Sequence, residues 1–360
     1  MSHTGATADC AERLWLAVAD GDEHAAMQVV HAALTDGVDE ERLLLDVIAP
    51  VQERVGAEWA ADRITVAQEH AATAINERII AALAHRRDGR GAPYRGRVTV
   101  SCVDGEWHAF PARLVAEMLS LHGWRVDYLG ARTPTPHLVA HLHRTNPEAV
   151  LLSGSIPTHL PAAHIAVTAC QAVGIPVLTG GRAFGPDGRY ADALGVDRWA
   201  PDARGALAVL AEGLKRPDPS AIRQTVDDLP HLADQEYTLV VQSRHQLVKQ
   251  TLSVLEDRFP PLRGYSEAQR ERTVEDLAHI VDFLAASLYI DDADLFTAFL
   301  TWTADILTAR HVPARSLLAG LDILAGQLRE YPRAVHLLRE GATALRRHPI
   351  RPVPGSSLCA

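Results

Sequence analysis

The sequence predicts a multidomain protein of α and α/β parts: an N-terminal helical bundle acting as a cap, a flavodoxin-like parallel sheet, and a C-terminal globin-like all-α module. Three observations carry this. Apolar residues recur at three- and four-residue steps through the first stretch. Strand-like and helix-like runs alternate through the middle. The last stretch keeps the helical runs and has no strand alternation. The boundaries expected are 1-90, 91-216 and 230-350.

The first segment reads as helices from about Ala11 to Ala84. Its apolar steps are Leu14, Ala17 and Val18, then Leu43, Leu44, Val47 and Ile48, then Ile75, Ile79, Ile80 and Leu83. Breaks are expected at Asp20-Gly21-Asp22, Asp36-Gly37 and Ala49-Pro50. That spacing suits a small antiparallel bundle. Arg86-Arg87-Asp88-Gly89-Arg90-Gly91-Ala92-Pro93 reads as a linker. Strands then follow near Arg97–Val103, Arg125–Leu129, Ala149–Leu152, Pro176–Thr179 and Val196–Trp199. Helices fall near Ala112–His122, Thr135–Arg144, Leu160–Val173 and Ala203–Leu214, which makes a doubly wound sheet. A second linker, Lys215-Arg216-Pro217-Asp218-Pro219-Ser220, ends it. Helices near Tyr237–Glu256, Glu267–Ser287, Ala293–Arg310, Ala314–Glu330 and Arg333–Arg346 complete the chain, with breaks at Tyr289-Ile290-Asp291-Asp292 and Arg310-His311-Val312-Pro313.

Composition narrows the function. The 360 residues suit two or three domains, and 47% hydrophobic content is enough for sizeable cores. No run approaches a membrane span, and the N-terminus lacks a signal-peptide pattern, so a cytoplasmic location is expected. Cys10, Cys102, Cys170 and Cys359 are scattered with no Cys-x-x-Cys, which argues for a reducing compartment and against zinc or iron–sulfur sites. A formal net charge of -10 argues against direct nucleic-acid binding. No helix-turn-helix module precedes the bundle, which starts almost at Met1.

Three motifs stand where strands hand over to loops. Val98-Thr99-Val100-Ser101-Cys102-Val103 leads into Glu106-Trp107-His108. Ala149-Val150-Leu151-Leu152 leads into Ser153-Gly154-Ser155. Pro176-Val177-Leu178-Thr179 leads into Gly180-Gly181. Open parallel sheets bind ligands outside the carboxyl ends of their strands. One loop there offers an imidazole, one small hydroxyls, and one glycines that let a flat ligand approach the backbone. A lone His after a strand is ordinarily a polar surface residue, and the chain has 18 His. The ordered set of motifs singles out His108.

This arrangement resembles the cobalamin-binding domain of methionine synthase, corrinoid methyltransfer proteins, cobalamin mutases and light-sensing cobalamin regulators. Their pattern is Asp-x-His-x-x-Gly, then Ser-x-Leu or Ser-x-Thr, then Gly-Gly. The resemblance implies His108 as the lower axial ligand of cobalt, with Glu106 in place of Asp as its orienting partner and Trp107 beside it. It places Ser153, Ser155, Gly180 and Gly181 around the nucleotide tail. Pro111 stands where the pattern has Gly, so a different turn after His108 is expected.

Upstream, Trp59-Ala60-Ala61-Asp62-Arg63-Ile64-Thr65-Val66-Ala67-Gln68-Glu69-His70 resembles the Trp-x9-Glu-His cap signature of adenosylcobalamin photoreceptors. The resemblance puts Trp59, Glu69 and His70 over the upper face of the corrin, around the adenosyl group. Ala60 replaces a His found in one branch, leaving His70 as the available substitute. Read without the motif, Trp59 would be a core anchor and Glu69-His70 a solvated pair.

Cap, cobalamin domain and C-terminal helical module together resemble the photocobilins, which bind cobalamin and the linear tetrapyrrole biliverdin. That resemblance implies a light sensor in which adenosylcobalamin photolysis drives a conformational signal, with biliverdin as second chromophore. Arg244 and His245 are the candidates for its propionates. A covalent bilin link is not expected, since no cysteine lies between Cys170 and Cys359. A homo-oligomer or an effector protein is the expected partner. The alternative is a corrinoid carrier of a methyltransferase system, using the same His108 site. A mutase subunit is the third reading, and nothing here resembles the barrel it would need. Composition alone would make the last segment a dimerisation or signalling bundle.

Overall fold

The computed structural model describes residues 3–86, 94–217, 234–258, 262 and 264–348. Most of the first expected linker, the end of the second and Cys359 lie outside the described residues. Two compact units emerge, one built on Met1–Ser155 and Ala162–Ile222, the other on Ile156–Pro161 and Arg223–Ala360. Among the described residues no helix is long and apolar enough to cross a membrane.

The cap comprises α1 (His3–Ala19), α2 (Glu23–Thr35), α3 (Glu40–Arg42), a π-helical turn (Leu43–Ile48), α4 (Ala49–Ala60) and α5 (Val66–His85). Helix α1 begins well before Ala11 because Thr7 and Cys10 are buried against the bundle. Asp22 caps α2 by accepting from Ala25 N, and Thr65 with Gln68 forms a capping box on α5. The expected break at Ala49-Pro50 does not occur. In a regular helix Pro50 would lack a donor and crowd the preceding turn. Here the π turn, in which Ala49 N–H reaches Leu44 O, widens the helix so that it passes Pro50 unbroken. Leu14, Leu43, Leu44, Val47, Ile48, Ile79 and Ile80 form the centre of the cap.

The second part is a five-stranded parallel sheet of order β2-β1-β3-β4-β5. Its strands are β1 (Gly96–Cys102), β2 (Trp124–Gly130), β3 (Ala149–Ser153), β4 (Val177–Gly180) and β5 (Arg198–Ala200). Between them run α6 (Phe110–Leu121), α7 (Thr135–Thr145), α8 (Leu160–Ala172) and α9 (Arg189–Ala193); α10 (Ala203–Glu212) follows β5. The sequence did not suggest α9. Val196 N–H closes its last turn on Ala191 O, which is why β5 starts later than Val196. Helix α6 has two working faces. Ala112, Ala116 and Leu119 pack on the sheet, while Phe110, Leu114 and Met118 belong to the core of the cap. Arg204 on α10 adds ion pairs to Glu41 and Asp46 of the cap.

The second unit is all-α: α11 (Glu236–Arg258), α12 (Glu267–Ile290), α13 (Ala293–Ala309), α14 (Ser316–Gln327) and α15 (Pro332–Arg347). Leu284, Phe296, Leu300, Leu321 and Leu324 are at its centre, and the Phe283 and Phe299 rings stack with centroids 3.8 Å apart. The break after α12 is narrower than expected. Tyr289 and Ile290 are buried and stay helical; Asp291 alone turns left-handed, and Asp292 caps α13. Glu236 is also buried, and its carboxylate accepts from the backbone N–H groups of Arg333 and Ala334 at the start of α15.

Candidate functional site

Strand order reverses between β1 and β3, the place where this topology opens a crevice. The carboxyl ends are level there, since Cys102 pairs with Ser153, Ser153 with Gly180, and Gly180 with Ala200. After β1 the chain turns through Gly105, at φ 85°, with Glu106 N bonded to Val103 O. That turn drives the Glu106 side chain inward, where it has 0% exposure.

A buried carboxylate is stable only if its oxygens are bonded. Glu106 Oε1 accepts from Trp107 N at 2.9 Å, His108 N at 2.9 Å and His108 Nδ1 at 2.6 Å. Its Oε2 accepts from Ser155 N at 2.7 Å. Burial pushes its pKa up, but the bonds from the His108 ring and from the His108 and Ser155 amides outweigh it and bring it down to about 2. A carboxylate only accepts, so His108 Nδ1 must carry a proton, and in the neutral ring this leaves the lone pair on Nε2. The His108 side chain is 35% exposed. This carboxylate–histidine pairing is the arrangement that orients a metal-ligating imidazole.

Trp107 is 52% exposed, its ring 3.8 Å from the His108 ring between centroids. Pro111 sits in the first turn of α6, a position that tolerates proline, so a helix starts where the family pattern has a Gly turn. Cys102 Sγ lies 3.7 Å from His108 O. Burial first, and then the Glu106 charge, pushes its thiol up to about 12, so it is no thiolate ligand.

Beyond β3, Gly154 N donates to Gly180 O and Gly154 O accepts from Ala183 N. Gly181 has φ 96°, and a Cβ there would fall 2.3 Å from Gly154 O. Only glycine lets these two loops close on each other. Ser153 and Ser155 flank the same contact, both half-buried.

Sequence reasoning missed Asp104, whose Oδ2 accepts from Thr135 N and Oγ1 and ties the β1 loop to α7. An Asp after a strand with a Thr-Pro-Thr helix start downstream was the available signal. It also missed the role of the Ser155 amide, which no side-chain pattern reveals.

The cap candidates occupy one end of the bundle. Trp59 is half-buried on the last turn of α4, outside the group of buried core residues. Glu69 is in the first turn of α5, its Oε2 2.5 Å from His70 Nδ1. Both helices share the unit of His108 and pack, through the cap core, on α6, which starts two residues after His108. Arg244 and His245 are on α11, in the other unit. Arg244 makes two bonds to Asp282, at 2.5 and 2.7 Å, so its charge is balanced within the module, and His245 is exposed.

The core of the helical cap, the parallel sheet and the imidazole held by a buried carboxylate at its switch point all fall within residues matched by cobalamin-binding domains. Residues 10–84 match a model of the B12 binding domain, in its second form, and residues 96–211 match a further B12 binding domain model. The chain thus carries cobalamin-binding domains and is similar to corrinoid proteins. It is 23% identical over 204 residues to the trimethylamine corrinoid protein of Methanosarcina barkeri, a match covering 55% of this chain and 93% of the relative. Trimethylamine corrinoid protein 2 of Methanosarcina mazei gives the same figures. The solved Methanosarcina barkeri monomethylamine corrinoid protein is 18% identical, with 57% of this chain and 99% of that one covered and a TM-score of 0.48. The helices beyond residue 234 lie outside both domain matches.

Among the described residues no three His, Cys, Asp or Glu side chains gather as a metal site. A corrin brings its own ring nitrogens, so a single oriented imidazole is all that the protein would have to add.

Proposed function

We propose that this protein is a corrinoid carrier in which His108 Nε2 would ligate the cobalt of bound cobalamin, and that it presents the corrinoid to a methyltransferase partner. The observation that carries this reading is the Glu106 carboxylate gripping His108 and the Ser155 amide together. Glu106 fixes the tautomer and direction of the ring. Ser153, Ser155, Gly180 and Gly181 form the passage for the nucleotide tail, with Trp107 beside the imidazole. The cap, residues 1-90, covers the upper face, and residues 91-216 hold the lower one. Bound cobalamin supplies a cobalt–carbon bond that can be made and broken; the chain's own residues bind, orient and shield it. The trimethylamine corrinoid relatives support this use. Free, buried Cys10, Cys102 and Cys170 suit a cytoplasmic setting.

A second reading is a light sensor holding adenosylcobalamin. It is favoured by the Trp59, Glu69 and His70 signature at one end of the cap and by the all-α module outside the domain matches. In that reading residues 230-350 bind biliverdin or mediate a homo-oligomer or effector contact.

Protein reconstituted with cobalamin should keep a corrinoid spectrum through gel filtration, and His108→Ala should change that spectrum or release the corrinoid. An unchanged spectrum and affinity in His108→Ala would remove His108 from the site. Methyl transfer to the bound corrinoid from a methylamine donor, with its methyltransferase, identifies the carrier. Bleaching of the adenosyl form in green light, with no response to methyl donors, identifies the sensor. A stoichiometric visible band on adding biliverdin, absent from residues 1–214 alone, would assign the bilin to the helical module.

A further inference from the structure

Asn76 has 0% exposure on α5, on a helix face otherwise made of Ala72, Ile75, Ile79, Ile80 and Leu83. A buried amide is stable only when bonded. Its Nδ2 donates to Gln52 Oε1 of α4 at 2.9 Å, while its Oδ1 has no hydrogen-bond partner among the described residues, so Gln52 is the one group that holds the amide. Gln52 Nε2 donates to Thr73 Oγ1 at 2.7 Å, and Thr73 Oγ1 donates to Glu69 Oε1 at 2.9 Å. The other Glu69 oxygen meets His70 Nδ1. A line of hydrogen bonds therefore runs from the cap core to the Glu69 carboxylate.

The line has a direction. Thr73 has one hydroxyl proton. If the Gln52 amide were turned over, that proton would go to Gln52, and Glu69 Oε1 would lose its donor. An ionised Glu69 therefore selects the amide orientation, and the amide orientation in turn holds Glu69. A buried Asn that served only to set helix register would need Gln52 alone. The extension through Thr73 to a half-buried carboxylate is what register does not require.

We propose that Gln52, Thr73 and Asn76 are positioning residues that fix the Glu69 carboxylate and thereby set which upper axial group the cap accepts over a bound corrinoid. This rests on the reading that the cap covers the upper face. These three residues act through Glu69.

The test uses the full chain with adenosylcobalamin and hydroxocobalamin as probes. The ratio of their dissociation constants is measured, with the melting temperature of the corrinoid-free protein in parallel. Thr73→Val keeps the shape and removes the hydroxyl; Thr73→Ser restores it; Gln52→Leu breaks the line one step earlier. Thr73→Val and Gln52→Leu should each change the ratio in the same direction as Glu69→Gln, by about tenfold. Thr73→Ser should recover the wild-type ratio. Thr73→Val added to Glu69→Gln should change nothing further. If Glu69→Gln shifts the ratio while Thr73→Val and Gln52→Leu leave it unchanged, the line only sets helix register and the inference falls alone. If Glu69→Gln itself has no effect, the upper-face reading falls and takes the inference with it, while the His108 test stands separately. Should Thr73→Val fail to fold, Gln52→Leu with Thr73→Ser decides.

Discussion

Glu106 and Ser155 are joined across the switch point of the sheet: the buried carboxylate after β1 accepts the backbone N–H after β3 at 2.7 Å. The same carboxylate holds the His108 ring. The direction of the imidazole is therefore referenced to two strands, and the ring cannot tilt without disturbing the β3 loop.

Glu106→Gln removes the charge and offers an N–H where an acceptor is required. It should lower corrinoid affinity by roughly 10–100-fold, the usual scale for a partner that orients a metal ligand, and do less than His108→Ala. Titration of apoprotein with hydroxocobalamin checks it. An effect as large as that of His108→Ala would mean that Glu106 mainly supports the fold.

Gly181→Ala should fail by sterics and backbone together. The new methyl would lie 2.3 Å from Gly154 O, at a φ of 96° that L-residues avoid. A loss on the order of 1–3 kcal/mol in unfolding free energy is expected, together with weaker corrinoid retention. Denaturant titration with and without cobalamin measures both.

Asp127 contributes to the acid dependence beside Glu106. Burial pushes its carboxyl up, but the Arg97 guanidinium at 2.7 Å and His141 at 3.0 Å more than offset this, and its pKa lies below the ordinary 3.8. Its contribution to stability is therefore complete above pH 3.8 and lost as pH falls from there through the lower folded-state value. Asp127→Asn should lower stability at neutral pH, on the order of 1–3 kcal/mol. It should also shrink the difference between neutral pH and pH below the carboxylate range. Unfolding curves at both pH values read this directly, and a variant as acid-sensitive as wild type would count against it.

In the second unit, Glu236→Ala would leave the Arg333 and Ala334 amides without their buried acceptor. A loss of about 2 kcal/mol is expected from the unsatisfied donors. Thermal melts of the full chain should show it in the module's transition. A change within a few tenths of a kcal/mol would mean that water replaces the carboxylate.

Much of this was legible in the sequence because it rests on patterns with short range. Strand β1 alternates Val98, Val100 and Cys102 with Thr99 and Ser101 before the Glu106-Trp107-His108 loop, and the helical steps at Ile75, Ile79 and Ile80 mark the buried face of α5. What escaped depends on partners distant along the chain. Pro50 reads as a stop until the π turn before it is seen. Tyr289 and Ile290 read as a break beside Asp291-Asp292 until the core that buries them is formed. The Ser155 contact is a backbone amide, which leaves no mark on residue choice, and the Asp282 that pairs with Arg244 is far downstream.

Helix α6 turns Phe110, Leu114 and Met118 to one core and Ala112, Ala116 and Leu119 to another. Neither neighbour can be trimmed away cleanly. A fragment carrying the sheet without the cap would show water an oily stripe along that helix and should stick to itself. The two halves must accordingly travel as one heritable piece: a recombination point placed between residues 86 and 94 separates partners that share a wall, whereas one placed after residue 217 leaves that wall whole.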